Sequence, residues 1–193
     1  MIYFVRCVKR GNRWKTLFQN IVSTFKPLQL LHLDLYGPTR TASTSGKRYG
    51  LVIVDDYSRW TWVMFLNQKD ESFDVFFKLC KHVKNEKWIY ITSIKSDHGG
   101  VFENERFQLL CEENGILHSF STPRTSQQNR VVERKSRSLQ EMARIMLNDK
   151  STLKHFWAEA INTTCYLQNK IYIIPILKKT PYELWMGRKP NIS

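Results

Sequence analysis

The chain begins its regular part with strict alternation between hydrophobic and polar positions. Between residues 30 and 35 the leucines at odd positions share one face, while His32 and Asp34 share the other. This period of two predicts a half-buried strand. Gly37 and Pro38 follow at once and are expected to end it.

Further segments predict an alternation of strands and helices. Apolar runs predict strands over residues 49–54, 60–66, 88–94 and 116–120. Helical spacing and capping signals predict a helix that Asp70 caps, a helix over 102–114, a helix from Thr125 to about Leu147 and a helix over 151–169. Three strands in succession, followed by strands that alternate with helices, predict an α/β fold with a mixed five-stranded sheet flanked by helices.

Composition and charge narrow the classes of function. The 193 residues include 30 Lys and Arg against 17 Asp and Glu, so the net charge is +13, and hydrophobic residues make up 42%. That apolar content is enough for a core and argues against a disordered basic tail. A folded and strongly basic domain favours a polyanionic partner, with nucleic acid as the leading candidate. The alternative is a basic surface that only aids solubility.

The four cysteines are widely spaced and include no pair separated by two residues. The spacing indicates neither a disulfide framework nor a complete zinc site, and it predicts reduced, mostly buried thiols. No apolar stretch approaches the roughly 20 residues of a membrane-spanning helix. Basic residues interrupt the N-terminal segment, so a secretory signal peptide is not predicted either.

Three carboxylates are candidates for chemistry. Asp34 lies mid-strand on a polar face, Asp97 follows a predicted strand, and Glu133 lies early in the long helix. Each has an ordinary alternative: a water-facing strand residue, a turn residue before Gly99 and Gly100, and a surface ion pair. Together, acids from two strands and a helix supply the oxygen ligands that two Mg²⁺ ions need for phosphoryl transfer.

The long helix places Glu133 beside its predicted buried stripe. With 100° per residue and Val132 at zero, Leu139, Ala143 and Met146 fall within roughly 40° of Val132. A polar face lies between roughly 80° and 140° and consists of Glu133, Arg137, Gln140 and Arg144. By contrast, the neighbouring carboxylates of Asp55 and Asp56 fall on a hairpin turn, where we expect a structural role.

Several motifs carry a resemblance over most of the chain, from about residue 16 to the end. They are LLHLDLYGP (30–38), LVIVDDYSR (51–59), SDHGG (96–100), PRTSQQNRVVER (123–134), LQEMAR (139–144), FWAEA (156–160) and TPYELW (180–185). With these motifs the chain resembles the integrase catalytic core of copia-type retrotransposons, a member of the DDE polynucleotidyl transferases with a ribonuclease-H-like fold. In that family 35 residues separate the second catalytic Asp from the catalytic Glu. Here Asp97 and Glu133 are also separated by 35 residues, 98–132.

The resemblance implies a site, a reaction and partners. Asp34, Asp97 and Glu133 would be the catalytic, metal-binding triad, with two Mg²⁺ (or Mn²⁺) ions that serve 3′-end processing and strand transfer. The partners would be DNA, as element ends and target duplex, and other integrase chains in a homo-oligomer, in the nucleus and in cytoplasmic retrotransposon particles. The expected DNA contacts are Arg124, Gln127, Gln128, Asn129, Arg130, Arg134, Lys135, Arg137 and Arg144.

The resemblance also divides the chain. Residues 1–27 are expected to be the remnant of an N-terminal zinc module and linker, residues 28–170 the catalytic core, and residues 171–193 a truncated C-terminal extension. Cys7 matches the last zinc ligand of the family, but Phe4 stands where its partner belongs, and a single Cys cannot hold a structural zinc. Since the sequence stops within a motif, we expect it to be a fragment.

Four positions depart from the family pattern, and they leave a second hypothesis open. The family usually has Asn, Glu, Pro and Gly where this chain has, in order, His98, Val101, Ser126 and Arg130. The alternative to an active enzyme is therefore a catalytically inactive, degenerate integrase remnant that binds nucleic acid. A stand-alone ribonuclease-H-type nuclease would share the site but not the other motifs.

Overall fold

Five strands form one mixed sheet in the computed structural model, which describes residues 24–97, 101–120, 129–149 and 154–191. The strands are β1 (Leu30–Tyr36), β2 (Tyr49–Asp55), β3 (Thr61–Leu66), β4 (Ser93–Ser96) and β5 (Leu117–Phe120). Their order is β3-β2-β1-β4-β5. The first three strands pair antiparallel, β4 runs parallel to β1, and β5 runs parallel to β4. The predicted mixed five-stranded sheet is confirmed.

Helices flank this sheet. They are α1 (Ser72–Lys87), α2 (Glu105–Glu113), α3 (Arg130–Asp149), α4 (Trp157–Ile171) and α5 (Pro181–Met186). The strand predicted over 88–94 begins only at Ser93, because α1 continues to Lys87 and ends at Trp88 in the left-handed conformation. Asp70 does not cap α1 but lies in a short 3₁₀ turn before it. The capping box predicted at Thr125 lies outside the described residues.

Each face of the sheet has its own hydrophobic core. Leu33 and Ile53 point to one face and pack with side chains of α1 and α2, such as Phe76 and Phe107. Val52 on the opposite face packs with α3 and α4. The alternation predicted for β1 is therefore confirmed. Asp34 and His32 share the α3 side of the sheet.

The amphipathic pattern predicted for α3 is confirmed. Val132, Leu139 and Ala143 are buried against the sheet and α4, and Met146 is half-buried at the margin of the same cluster. Glu133 directly follows Val132, so it lies about 100° around the helix from that residue of the stripe, and its side chain is exposed. The packing of α3 therefore fixes Glu133 at the rim of the core.

A helix, α5, lies within residues 171–193, where no helix was predicted from the sequence. Thr180 and Glu183 form a capping box around α5, with Pro181 in its first turn. This signal was present in the sequence, because Thr-Pro-x-Glu combines an N-cap, a first-turn proline and a reciprocal Glu. The ring of Trp185 stacks on Trp60 at 6.0 Å between centroids, which joins α5 to the α1 side of the sheet.

One side-chain amide closes part of an edge of the sheet. The backbone N–H of Thr61, in the outermost strand β3, donates to Asn169 Oδ1 at 3.0 Å, and Asn169 Nδ2 donates to the Thr61 carbonyl at 2.8 Å. Asn169 lies in α4, so this pair of hydrogen bonds joins that helix to the strand edge.

The acids of the β2–β3 turn are structural, as predicted. Asp55 accepts hydrogen bonds from the backbone N–H groups of Leu28 and Ser58, each at 2.8 Å. Asp56 accepts from His32 and forms an ion pair with Arg59, both at 3.1 Å. These contacts hold the turn against the end of β1.

The described part of the chain contains three free cysteines, Cys80, Cys111 and Cys165, of which the last two are buried. This agrees with the prediction of reduced, mostly buried thiols. Cys7 and Phe4 lie outside the described residues. None of the helices within the described ranges is long and apolar enough to cross a membrane.

Candidate active site

Two of the predicted catalytic acids meet at neighbouring strands. The parallel register pairs Leu30 with Ser93 and His32 with Lys95. Continued by two residues, this register sets Asp97, the first residue after β4, beside Asp34 in the middle of the sheet. Because neighbouring strands lie about 5 Å apart, the two carboxylates emerge close together.

The third acid comes from the helix above the sheet. Glu133 lies in the first turn of α3, where the helix packs over β1 and β2. Burial raises the pKa of the Asp34 carboxyl, and the negative charges of Asp97 and Glu133 raise it further. A hydrogen bond from Ser136 opposes these effects. The three acids are therefore close enough to influence one another electrostatically.

Two uncharged side chains hold α3 in place over Asp34. Asn129, immediately before the helix, is buried, and its Nδ2 donates to the Leu33 carbonyl at 3.2 Å. Ser136, one turn into the helix, is also buried and hydrogen-bonds to the Asp34 carboxylate. Both contacts tie the helix start to the strand residues around Asp34.

Sequence analysis missed the role of Ser136, although a signal existed. On the helical wheel Ser136 lies about 40° from Val132, within the stripe predicted to be buried. A polar side chain on an otherwise apolar stripe needs a hydrogen-bond partner. The Ser136 hydroxyl accepts from Gln140 Nε2 at 3.3 Å, and a hydrogen bond from Ser136 also lowers the pKa of Asp34, so Ser136 lies beside that carboxyl.

The donor chemistry of the three acids fits a divalent cation. Carboxylate oxygens are what Mg²⁺ prefers, and a partly buried Asp with two anionic neighbours gains most from a bound cation. Within the described residues no three His, Cys, Asp or Glu side chains are already gathered at metal-binding distance. The acids therefore lie near one another without forming a complete coordination shell.

The backbone of Asp97 is supported from the next strand. Ser96 is fully buried, and its Oγ lies 2.9 Å from Nε2 of His118 in β5. The same hydroxyl donates to the Asp97 carbonyl at 3.3 Å. The His118 ring packs against Phe107 and Phe120, with centroid distances of 5.1 Å and 4.2 Å. A chain of contacts therefore leads from the α2 core to the candidate catalytic acid.

The residues predicted to contact DNA fall into three groups. Arg134, Arg137 and Arg144 are exposed on α3, on or near the helix face that carries Glu133, and Arg130 is half-buried at the helix start. Arg124, Gln127 and Gln128 lie outside the described residues. The third group is Asn129, which is buried, and Lys135, which is half-buried.

These two side chains face protein rather than solvent. Asn129 is 1% exposed and serves as the anchor to β1 described above. Lys135 is half-buried beside α4, with its ammonium 5.8 Å from the centre of the Tyr172 ring. Burial lowers the pKa of Lys135 to about 8, against an opposing effect of Cys165. The prediction that Asn129 and Lys135 contact DNA did not include these contacts with Leu33 and Tyr172.

Comparison with known proteins places this chain in a family. The family model of the integrase core domain matches residues 25–126. The chain is 35% identical over 166 residues to the retrovirus-related Pol polyprotein from transposon TNT 1-94 of Nicotiana tabacum, and 31% identical over 178 residues to that from transposon RE2 of Arabidopsis thaliana. These matches cover 86% and 92% of this chain but 12% of each polyprotein.

Solved structures show the same fold. The intasome of simian T-cell lymphotropic virus in complex with PP2A regulatory subunit B56 gamma contains a chain with a TM-score of 0.68, at 17% identity over 87% of this chain and 57% of that one. The HTLV-2 integrase catalytic core domain in complex with magnesium, in its trimeric form, has a TM-score of 0.63 at 20% identity, covering 82% of this chain and 97% of that one. The sheet and its flanking helices thus form a ribonuclease-H-like fold.

The chain belongs to the integrase core domain family. Its relatives include plant copia-type elements and, at 28% identity over 164 residues, the Ty1-DR4 Gag-Pol polyprotein of Saccharomyces cerevisiae, of which it spans 10%. It is a retrotransposon integrase catalytic core.

Proposed function

We propose that this domain processes DNA 3′ ends and joins them to a target duplex, with Asp34, Asp97 and Glu133 as its catalytic acids. The observation that carries the proposal is that the β1–β4 register sets Asp97 beside Asp34, while α3 brings Glu133 above them. The three acids are far apart in sequence, yet the charges of Asp97 and Glu133 both raise the pKa of Asp34. Such a concentration of negative charge is unfavourable unless a bound cation neutralises it.

The acids would divide the work of holding divalent ions. Asp34 lies in β1 and Asp97 directly after β4, whereas Glu133 approaches from a helix that Asn129 and Ser136 anchor. Bound Mg²⁺ or Mn²⁺ would favour deprotonation of an attacking water or 3′-hydroxyl and would neutralise charge on the scissile phosphate. The carboxylates and their supports then provide positioning, which is most of what phosphoryl transfer requires.

The exposed arginines of α3 would orient the DNA. Arg134, Arg137 and Arg144 are exposed and lie within about three turns of α3 after Glu133. The rise of about 1.5 Å per residue spaces their side chains along a phosphate backbone. Contacts of this kind provide affinity and register rather than sequence selectivity. Other integrase chains would complete the assembly as homo-oligomer partners.

A single substitution with a matched control tests the proposal. Asp97→Asn removes one candidate acid at nearly constant shape, and we expect strand transfer to a duplex with Mg²⁺ or Mn²⁺ to be abolished while the unfolding transition and DNA binding are retained. Asp74→Asn is the control, because Asp74 is an exposed acid of α1 on the other face of the sheet. Undiminished strand transfer by the Asp97→Asn variant would show that Asp97 is not a catalytic acid.

The same assay separates the active enzyme from the inactive remnant. The enzyme joins or nicks DNA only when a divalent cation is present. Metal-independent DNA binding by the wild-type chain, without any nicking or joining, would instead support a nucleic-acid-binding remnant. Restoring an intact N-terminal zinc module to the chain should be tried before an inactive result is accepted.

A further inference from the structure

A groove lies next to the candidate active site and contains none of the three candidate catalytic acids. Its volume is about 830 Å³, within the range of small-ligand sites, and it is bounded by the end of β1, residues 39–41, the second half of α3 and the start of α4. Gln140 at its near end lies two turns, or about 10 Å, along α3 from Glu133. The groove therefore continues the helix face that carries the catalytic acid.

Long-range hydrogen bonds build the wall of this groove. The indole N–H of Trp157 donates to the Thr41 carbonyl at 3.0 Å, and the backbone N–H of Thr44 donates to the His155 carbonyl at 3.0 Å. The Thr44 hydroxyl donates to Glu159 at 2.5 Å. The loop after β1 is thereby fixed to the start of α4, which holds the concave shape of the groove.

Three cations line the described part of the groove. Arg40, Arg144 and Lys154 contribute to it, all three are exposed, and the described residues of its lining include no Asp or Glu. Among the described residues none of the three forms an ion pair. Glu159, an acid of the adjoining first turn of α4, is already engaged by Thr44. The groove is therefore suited to a polyanion.

The floor is apolar and aromatic, which distinguishes this groove from a plain basic surface. Tyr36 and Leu147, both half-buried, and Trp157, which is 8% exposed, line it, and the rings of Tyr36 and Trp157 meet edge to face at 6.4 Å. A DNA duplex presents phosphates outward and keeps its base faces stacked inside, so it would cover the cations but leave a recessed apolar floor unfilled. An unpaired strand presents both phosphates and base faces, and stacking against aromatic or apolar side chains favours its binding.

We propose that this groove binds an unpaired segment of a DNA strand, with bases against Tyr36, Leu147 and Trp157 and with phosphates on Arg40, Arg144 and Lys154. The inference rests on the proposed function, because it assumes that DNA reaches Glu133 along α3. It adds that one strand is separated from its complement beside the acids. The single-stranded segment then continues along the second half of the helix.

Binding of a fluorescein-labelled oligothymidylate, followed by anisotropy in EDTA, tests the groove. The probe is compared with an abasic strand and with a blunt duplex of equal length, and we expect the wild-type chain to bind the thymidylate most tightly. The double variant Arg40→Glu/Arg144→Glu should lose about tenfold in affinity for it. The control Lys69→Glu/Lys78→Glu makes the same charge change at exposed positions in and before α1, and should change affinity less than about twofold.

The contribution of the floor has its own test. Leu147→Ala should weaken binding of the thymidylate and leave the abasic strand unaffected, since only the former has bases to stack. Ultraviolet cross-linking of 5-iodouracil strands, mapped by mass spectrometry, should label the peptides that contain Tyr36 or Trp157. Equal binding of all three probes, equal loss in the control variant, or cross-links confined to other peptides would each overturn the proposal.

These outcomes remain distinct from those for catalysis. Binding is measured without divalent ions, so an inactive chain can still confirm the groove. Conversely, loss of joining in Asp97→Asn together with equal binding of all three probes by the wild-type chain would support the catalytic proposal alone.

Discussion

The ring of Tyr36 lies directly across Gly50 on the neighbouring strand. The two residues are paired in the β1–β2 register, and a Cβ atom at position 50 would overlap the Cζ and hydroxyl oxygen of the tyrosine. Glycine in a strand interior often marks such a close approach. Asp34 precedes Tyr36 by two residues on the same face, so this contact also supports the strand beside the candidate site.

Gly50→Ala should therefore destabilise the domain by about 1–3 kcal/mol, the usual cost of overpacking. Urea denaturation gives the free energy of unfolding. The double variant Gly50→Ala/Tyr36→Leu should recover part of this loss, because the smaller side chain leaves room for the methyl group. Strictly additive effects of the two substitutions would show that the ring and the glycine do not interact energetically.

Asn129→Ala should cost about 1–3 kcal/mol of stability, because it leaves the buried Leu33 carbonyl without its donor. It should also lower joining at temperatures where the variant is fully folded, since the start of α3 then loses an anchor near Glu133. Asn162→Ala, at an exposed position of α4, serves as the control. Full joining by a folded Asn129 variant would mean that this anchor does not position Glu133.

Stability should fall as the pH drops below about 6.5, in part because of His118. Burial lowers the pKa of His118 in the folded protein, while Glu103 acts in the opposite direction. In the window between the lowered and the ordinary pKa, the unfolded chain binds a proton that the folded one does not, so acid favours unfolding.

The variant His118→Gln lacks this titration and should show a flatter dependence of the unfolding free energy on pH between about 7 and 5. His82→Gln is the control, because the side chain of His82 is 73% exposed and lies on the surface of α1. If the two variants show equal slopes of the unfolding free energy against pH, His118 is not the cause.

The three described cysteines should resist alkylation in the native protein. Burial raises the pKa of Cys80 to about 12 and those of Cys111 and Cys165 to about 11, so few thiolates exist at neutral pH. Iodoacetamide labelling followed by peptide mapping should detect all three only after denaturant is added. Rapid native labelling of Cys165 would contradict the packing of α4 against β3.

The sheet and α3 could be predicted from the sequence because their signals are periodic. The alternation around Asp34 and the helical stripe through Val132 each report directly which face is buried. Asp55 and Asp56 could likewise be assigned to a turn from their place between two strands. Where a short local pattern was decisive and was overlooked, as at Thr180 and Glu183, the structure contains an unpredicted helix.

The remaining features depend on contacts that no local pattern encodes. Thr44 and Glu159 are joined across more than a hundred positions, and this contact shapes the groove. Lys135 lies on the same helix as the exposed arginines, but its side chain lies beside α4, and this direction is set by how α4 packs against the helix. The partner of Asn129 could not be predicted either, because its amide group can donate to a backbone carbonyl or to a phosphate.

Asn169 has a consequence for how copies of this domain meet. Its amide occupies the outward N–H and C=O of Thr61 as the backbone of an additional strand would. A strand from another molecule cannot extend the sheet along the whole of β3 without first breaking both hydrogen bonds. Edge-to-edge association, a route to aggregation for open sheets, is thereby disfavoured at this edge by one side chain.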